Sequence, residues 1–166
     1  MKLQAIDTWY AHHCFRSRLE ARWAVFFDAL GIPWEFEPQG FETPAGPYLP
    51  DFRLWGDLFA EVKPRPTYHA EVELYEDLVE RAKGLSSLAL LGGVPKVQWY
   101  PVYFGEPQAL MWIDFQRAAA ERQANYGHAD RRPSSEELSW PQTRFTRAVD
   151  AACGERFGTE RPRRSA

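Results

Sequence analysis

Between residues 17 and 30 the apolar side chains Leu19, Trp23, Phe26, Phe27 and Leu30 recur at helical spacing, which puts them on one face of an amphipathic helix. Ser17 followed three residues later by Glu20 is a capping-box signature for its start, and Gly31 with Pro33 supplies the stop. The period then changes. Trp34-Glu35-Phe36-Glu37 alternates apolar and acidic, as a strand with one wet face does, and the Gly- and Pro-rich residues 40–47 read as a loop. Residues 48–54 and 58–63 follow as two strand-like segments joined by Trp55-Gly56-Asp57, whose length and composition suit a tight hairpin.

Pro64 and Pro66 end the second of these strands, and residues 71–83 return to helical spacing through Val72, Tyr75, Leu78, Val79 and Ala82, closed by Gly84. The short apolar run 87–91, bounded by Gly92-Gly93, predicts a buried strand after a crossover helix, which makes the sheet mixed. Residues 97–104 and 109–113 carry fainter strand signals. Residues 114–124 are helical in pattern, and a last helix is expected over 142–152, after a loop around Arg131-Arg132-Pro133. The expectation is an α/β fold: an α-β-β-β-α-β core with a mixed central sheet flanked by helices, plus a helical C-terminal extension. Residues 1–126 form the main domain on this reading, and 127–166 form a basic extension with a partly disordered tail.

Composition narrows the class. A chain of 166 residues fits one domain, and seven Trp and eleven Phe give it enough apolar surface to offset the entropy of ordering. Cys14 and Cys153 form no CxxC pair, and His12, His13, His69 and His128 complete no zinc-ligand spacing, so structural zinc is not expected. No basic-then-apolar leader is present and no apolar run approaches the roughly 18 residues of a membrane span, so the expected location is cytoplasmic. The net charge of −3 argues against a purely electrostatic nucleic-acid binder. Charge is unevenly spread, however: 117–166 holds ten Arg against seven acids and includes Arg161-Pro162-Arg163-Arg164. That tail suits phosphate contacts or, equally, a solvated terminus.

The hairpin carries the candidate chemistry. With a three-residue loop centred on Gly56, Leu54 pairs with Leu58, Phe52 with Ala60, and Asp51 falls opposite Glu61. A two-residue loop would instead set Asp51 opposite Val62. Like charges directly opposite are destabilising unless compensated, and a divalent cation is the natural compensator. Strand alternation puts Lys63 on the face of Glu61, with Phe52, Leu54, Ala60 and Val62 turned to the core. Hard carboxylate oxygens with the backbone carbonyl of Val62 suit Mg2+, completed by water and a substrate phosphate. Such an ion acidifies water and stabilises charge on phosphate, and Lys63 is placed to orient the attacking water. The bland alternative is an exposed hairpin face, with the acids solvated or paired to Arg53 and Lys63.

Other candidates each carry a competing account. Glu20 either completes the cap with Ser17 or turns inward to orient the lysine or water, or to help hold a second metal. His12, His13 and Cys14 lack a third partner, and His69 reads as a helix-entry residue. Trp99, Tyr100, Trp112 and Trp140 are able to stack on bases, though core packing is the commoner role of such residues.

Four segments bear a resemblance: Phe15-Arg16-Ser17-Arg18-Leu19-Glu20, Gly31-Ile32-Pro33-Trp34-Glu35-Phe36-Glu37, Tyr48-Leu49-Pro50-Asp51-Phe52 and Ala60-Glu61-Val62-Lys63. Together they resemble the PD-(D/E)xK nuclease superfamily. In look they are most similar to phage endonuclease I type Holliday junction resolvases and TnsA-type transposon endonucleases, where a helix-borne Glu precedes the PD and ExK motifs. The resemblance covers residues 15–63. It implies a restriction-endonuclease-like core and Glu20, Asp51, Glu61 and Lys63 as the active site. It also implies Mg2+ or Mn2+ as cofactor and DNA phosphodiester hydrolysis in a phage, mobile-element or DNA-repair setting. The helix after Lys63 lacks the Gln-x-x-x-Tyr pattern of the RecB-like branch, which speaks against processive end-resection. Cutting both strands symmetrically calls for two sites, hence a homodimer, and the similarity to the transposon endonucleases implies a larger nucleoprotein complex as the alternative. The competing classes are a catalytically silent DNA- or protein-binding module, and a subunit active only in a larger assembly. Removing the residues after Thr159 is predicted to weaken DNA binding without abolishing chemistry, and to flatten its salt dependence by about one unit of slope for each phosphate that the tail neutralises. An unchanged slope in a salt titration would refute a DNA-binding tail.

Overall fold

Helix α1 (Arg18–Leu30) begins where the Ser17 side chain accepts the Glu20 N–H at 3.2 Å, and ends at Gly31 in the left-handed conformation, φ 71°. In this computed structural model residues 6–65, 68–96, 100–104, 110–113, 115, 126–127 and 143–157 are described. The strands before the sequence's central hairpin are β1 (Thr8–Tyr10), β2 (His13–Phe15), β3 (Trp34–Phe36), β4 (Phe41–Thr43) and β5 (Gly46–Tyr48). The hairpin itself is β6 (Phe52–Leu54) and β7 (Leu58–Lys63), followed by α2 (Tyr68–Arg81) and β8 (Ser87–Gly92). Then come β9 (Tyr100–Phe104), β10 (Leu110–Ile113), β11 (Tyr126–Gly127) and a helix, α3 (Thr143–Gly154).

Among the described residues the main sheet runs in the order β11-β10-β9-β8-β7-β6-β3. The β7–β8 pair is parallel and the other neighbours are antiparallel, so the sheet is mixed, with α2 as the crossover that a parallel pair requires. Alternation along β7 divides the interior into two cores. Leu58, Ala60 and Val62 face the cluster of Trp23, Phe26 and Phe27 from α1. Phe59 faces the other side, against Tyr75 and Val79 of α2 and Leu88 and Leu90 of β8. Helix α3 packs on α1 and adds Ala148 and Ala152 to the first core, so this described part of the expected extension contributes to the same interior.

Two local expectations change and one hairpin is new. Residues 40–47 are no plain loop: β4 and β5 pair Phe41 with Tyr48 and Thr43 with Gly46, turned by Gly46 at φ 119° and by the Thr43 hydroxyl donating to the Gly46 carbonyl at 2.6 Å. The segment 48–54 is not one strand either. It breaks between Tyr48 and Phe52, where Pro50 has no N–H to give a ladder. The β1–β2 hairpin was not legible, because its turn places Ala11 (φ 46°) and His12 (φ 67°) in the left-handed region without the usual Gly or Asn. The structure expected over residues 97–99, 109, 114, 116–124, 131–133 and 142, and the partial disorder expected of the C-terminal tail, fall on residues outside the described ones. Among the described residues no helix is long and apolar enough to cross a membrane.

Trp23 links the core to the end of β7. Its side chain is wholly buried against Tyr100, ring centroids 5.1 Å apart, and its Nε1–H donates to the Gly93 carbonyl at 2.9 Å. Gly93 in turn donates its N–H to the Lys63 carbonyl at 2.8 Å. Trp23→Ala is expected to cost about 3–5 kcal/mol in urea unfolding, from removal of the ring and the cavity left behind. A loss below about 1 kcal/mol would contradict this packing.

Candidate functional site

The β6–β7 register is that of a three-residue loop. Leu54 pairs with Leu58, Arg53 with Phe59 and Phe52 with Ala60, while Trp55 (φ 50°) and Gly56 (φ 88°) make the turn and Asp57 donates its N–H to the Leu54 carbonyl at 3.2 Å. Asp51 lies one step before β6, where the next pair would bring it to Glu61. Its carboxylate reaches across to β7 and Oδ2 accepts the Val62 N–H at 2.7 Å. Oδ1 accepts from Arg16 Nη2 at 3.2 Å. Glu61 is held by both oxygens: Oε1 accepts from Lys63 Nζ at 2.6 Å and Oε2 from the Tyr48 hydroxyl at 2.9 Å.

These acids are not on an exposed hairpin face. Asp51 is 5% and Glu61 9% exposed, and Tyr48 of the β4–β5 hairpin rests on Glu61. Arg53 does not pair with them either; it grips Glu35 through Nε at 3.1 Å and Nη2 at 2.6 Å. Lys63 is on the Glu61 face, as strand alternation requires. Val62 puts its side chain in the α1-side core and turns its N–H to Asp51. In a strand the N–H and C=O of one residue point to the same edge, so the Val62 carbonyl is directed to the Asp51 side, and the Lys63 carbonyl, bonded to Gly93, to the β8 side.

Glu20 completes the cap. Its Oε1 accepts from Ser17 Oγ at 2.7 Å and its Oε2 from the Arg16 N–H at 3.0 Å. It also lies near enough to Asp51 for its charge to raise the affinity of that carboxyl for a proton. Glu20 is thus a capping residue at the border of the acidic cluster. Three residues at this site were missing from the sequence-based set. Arg16 bridges Asp51 and Glu37, and Tyr48 holds Glu61. Glu37, at φ 46°, donates its N–H to the Asp51 carbonyl at 2.8 Å. All three stand inside the segments that carry the family resemblance, but no periodicity marks a side chain whose partner is distant in the chain.

The remaining candidates do not join this cluster. His12 is in the β1–β2 turn, His13 packs near Trp34 with centroids 5.2 Å apart, and Cys14 is exposed. Tyr100 is fully buried beside Trp23 and Phe115, where no base could stack on it. Trp99 and Trp140, and the side chains of His69 and Trp112, lie outside the described residues.

Asp51 is pushed up to about 7, first because burial strips water from its carboxylate and next because Glu61 is close; the Val62 N–H opposes this, Glu20 adds to it, and Arg16 also opposes it. Burial and the neighbouring Glu61 charge hold the Tyr48 hydroxyl well above the usual phenol range, so it remains a hydrogen-bond donor. Among the described residues no three His, Cys, Asp or Glu side chains meet as a metal-binding group. The donor set of two hard carboxylates and one carbonyl fits an ion that keeps several waters, as Mg2+ does. The Arg16 guanidinium already serves as a cation beside Asp51.

A carboxyl raised from its ordinary value of 3.8 to about 7 keeps in the folded state a proton that the unfolded chain has released. Its stabilising contribution is complete below pH 3.8 and is lost as pH rises through about 7. In the absence of metal, urea midpoints of the wild type are therefore expected to fall more steeply between about pH 5 and pH 7.5 than those of Asp51→Asn. Parallel pH slopes would show that Asp51 is not the group involved. Among known proteins, no family model, no curated protein and no solved structure matches this chain.

Proposed function

We propose that this chain is a metal-dependent endodeoxyribonuclease of the PD-(D/E)xK type, with a restriction-endonuclease-like core formed by α1, β3, β6, β7, α2 and β8. The observation that carries the reading is the pair of nearly buried carboxylates, Asp51 and Glu61, with Lys63 on Glu61 and Glu20 at their border. Two like charges held together out of water cost stability, which a merely structural hairpin would avoid. The order helix, three antiparallel strands, helix, parallel strand supports the same reading.

Asp51, Glu61 and the Val62 carbonyl would hold Mg2+ or Mn2+, with Glu20 placed to help hold a second ion. The bound ion supplies a more acidic water and neutralises charge on the scissile phosphate. Lys63 orients the attacking water and offsets charge as the phosphorus centre becomes more crowded. Glu61 keeps Lys63 in place through its 2.6 Å contact, and Tyr48 fixes the other oxygen of Glu61. The substrate is DNA, cut at an altered structure or nicked, by a homodimer or within a larger nucleoprotein complex.

A second reading is favoured by one feature. Arg16 and Lys63 already partner the two acids, so the chain alone resembles a resting state that a partner completes, or a binding module without chemistry. Incubation with a labelled four-way junction, linear duplex and single-stranded DNA, in Mg2+, Mn2+ or chelator, separates these. The expected result is metal-dependent cutting that falls at least about 100-fold in Asp51→Asn. Absence of cutting by folded protein that still binds DNA would favour the second reading.

A further inference from the structure

Arg16 stands immediately before the Ser17 cap, and among the described residues its guanidinium is the cation in contact with Asp51. A single nitrogen, Nη2, makes both of its carboxylate contacts, 2.7 Å to Glu37 Oε1 and 3.2 Å to Asp51 Oδ1. The contact with Glu37 is the shorter but is an ion pair only, whereas the one with Asp51 is a hydrogen bond. The surroundings of the two partners are opposite: the Arg16 side chain is 58% exposed, that of Asp51 only 7%. Arg16 loses little on leaving Asp51, because water and Glu37 solvate it. Asp51 loses much, because a buried carboxylate without a cation is uncompensated. Glu37 is itself fixed to the site by its N–H on the Asp51 carbonyl, so a guanidinium that releases Asp51 stays tethered there.

We propose that Arg16 is a displaceable counter-ion that competes with a divalent cation for the Asp51 carboxylate and so sets how tightly the site takes up metal. This rests on the metal-dependent reading of the site. The guanidinium holds Oδ1 in the metal-free protein. A divalent ion that takes this oxygen repels Arg16, which swings onto Glu37, and the affinity for the ion is lowered by the ion pair it must break.

The test is Mn2+ binding by calorimetry in the full chain, without DNA. Arg16→Gln is expected to bind Mn2+ about tenfold more tightly than wild type, since it removes a like charge a few ångströms from the ion. Arg16→Lys, which keeps the charge, is expected to stay near wild type. Arg81→Gln, a charge removed from an exposed pair on α2, should change affinity less than about twofold. Because Arg16 is exposed, Arg16→Gln is expected to remain folded, and matching urea midpoints would verify this. Unchanged or weaker Mn2+ binding in Arg16→Gln would overturn the inference and make Arg16 a positioning residue for Asp51. Wild-type protein showing no Mn2+ binding that Asp51→Asn removes would overturn the metal-dependent reading itself, and this inference with it.

Discussion

At the point where the β6–β7 ladder stops, the Asp51 carboxylate accepts the Val62 N–H at 2.7 Å and takes the place of the next strand pair. This one bond fixes much of what surrounds it. It satisfies a backbone donor that a shortened β6 leaves without a strand partner, and it draws an acidic side chain into an interior where Glu61 is already present. An acid so placed needs compensation, and the chain supplies it from three directions: Arg16 before α1, Lys63 on β7, and the Tyr48 hydroxyl on β5. The polar cluster is thus a consequence of how the hairpin ends.

Helix α1 ties that cluster to the core. Its cap gathers Ser17, Glu20 and the Arg16 backbone into one set of hydrogen bonds. Further along the helix, Trp23, Phe26 and Phe27 fill the space beneath β6 and β7. The Trp23 indole then reaches the Gly93 carbonyl, and Gly93 holds the Lys63 carbonyl. The middle of α1 and the ends of β7 and β8 therefore share one hydrogen-bonded corner. Rigid elements tied together in this way keep the side chains they carry at fixed separation.

On the opposite face, α2 covers Phe59, Leu88 and Leu90 with Tyr75 and Val79, and Phe41 of β4 closes over Phe59 at a centroid distance of 4.9 Å. The β4–β5 hairpin thereby has two roles. Phe41 seals the second core, and Tyr48, its cross-strand partner, reaches Glu61. The stability of that core and the placement of the Glu61 carboxylate are joined through a short hairpin.

Period and punctuation in the sequence were enough for the elements that bury a regular face. The spacing of Trp23, Phe26, Phe27 and Leu30 determined α1, the loop Trp55-Gly56-Asp57 determined that β6 and β7 form a hairpin but left two registers open, and the apolar run with Gly92-Gly93 determined β8. Each depends on neighbours in the chain, where backbone geometry alone sets which side chains share a face. Asp51, Glu61 and Lys63 were legible for the same reason. The hairpins β1–β2 and β4–β5 were not, since one turns on non-glycine residues at positive φ and the other is made of residues whose composition suits loops. Nor were Arg16, Glu37 and Tyr48, which gain their place through partners 13 to 35 residues distant in the chain. Only the tertiary structure decided the partners of the two acids, because the burial that makes a carboxylate demand a partner exists only once distant segments have packed around it.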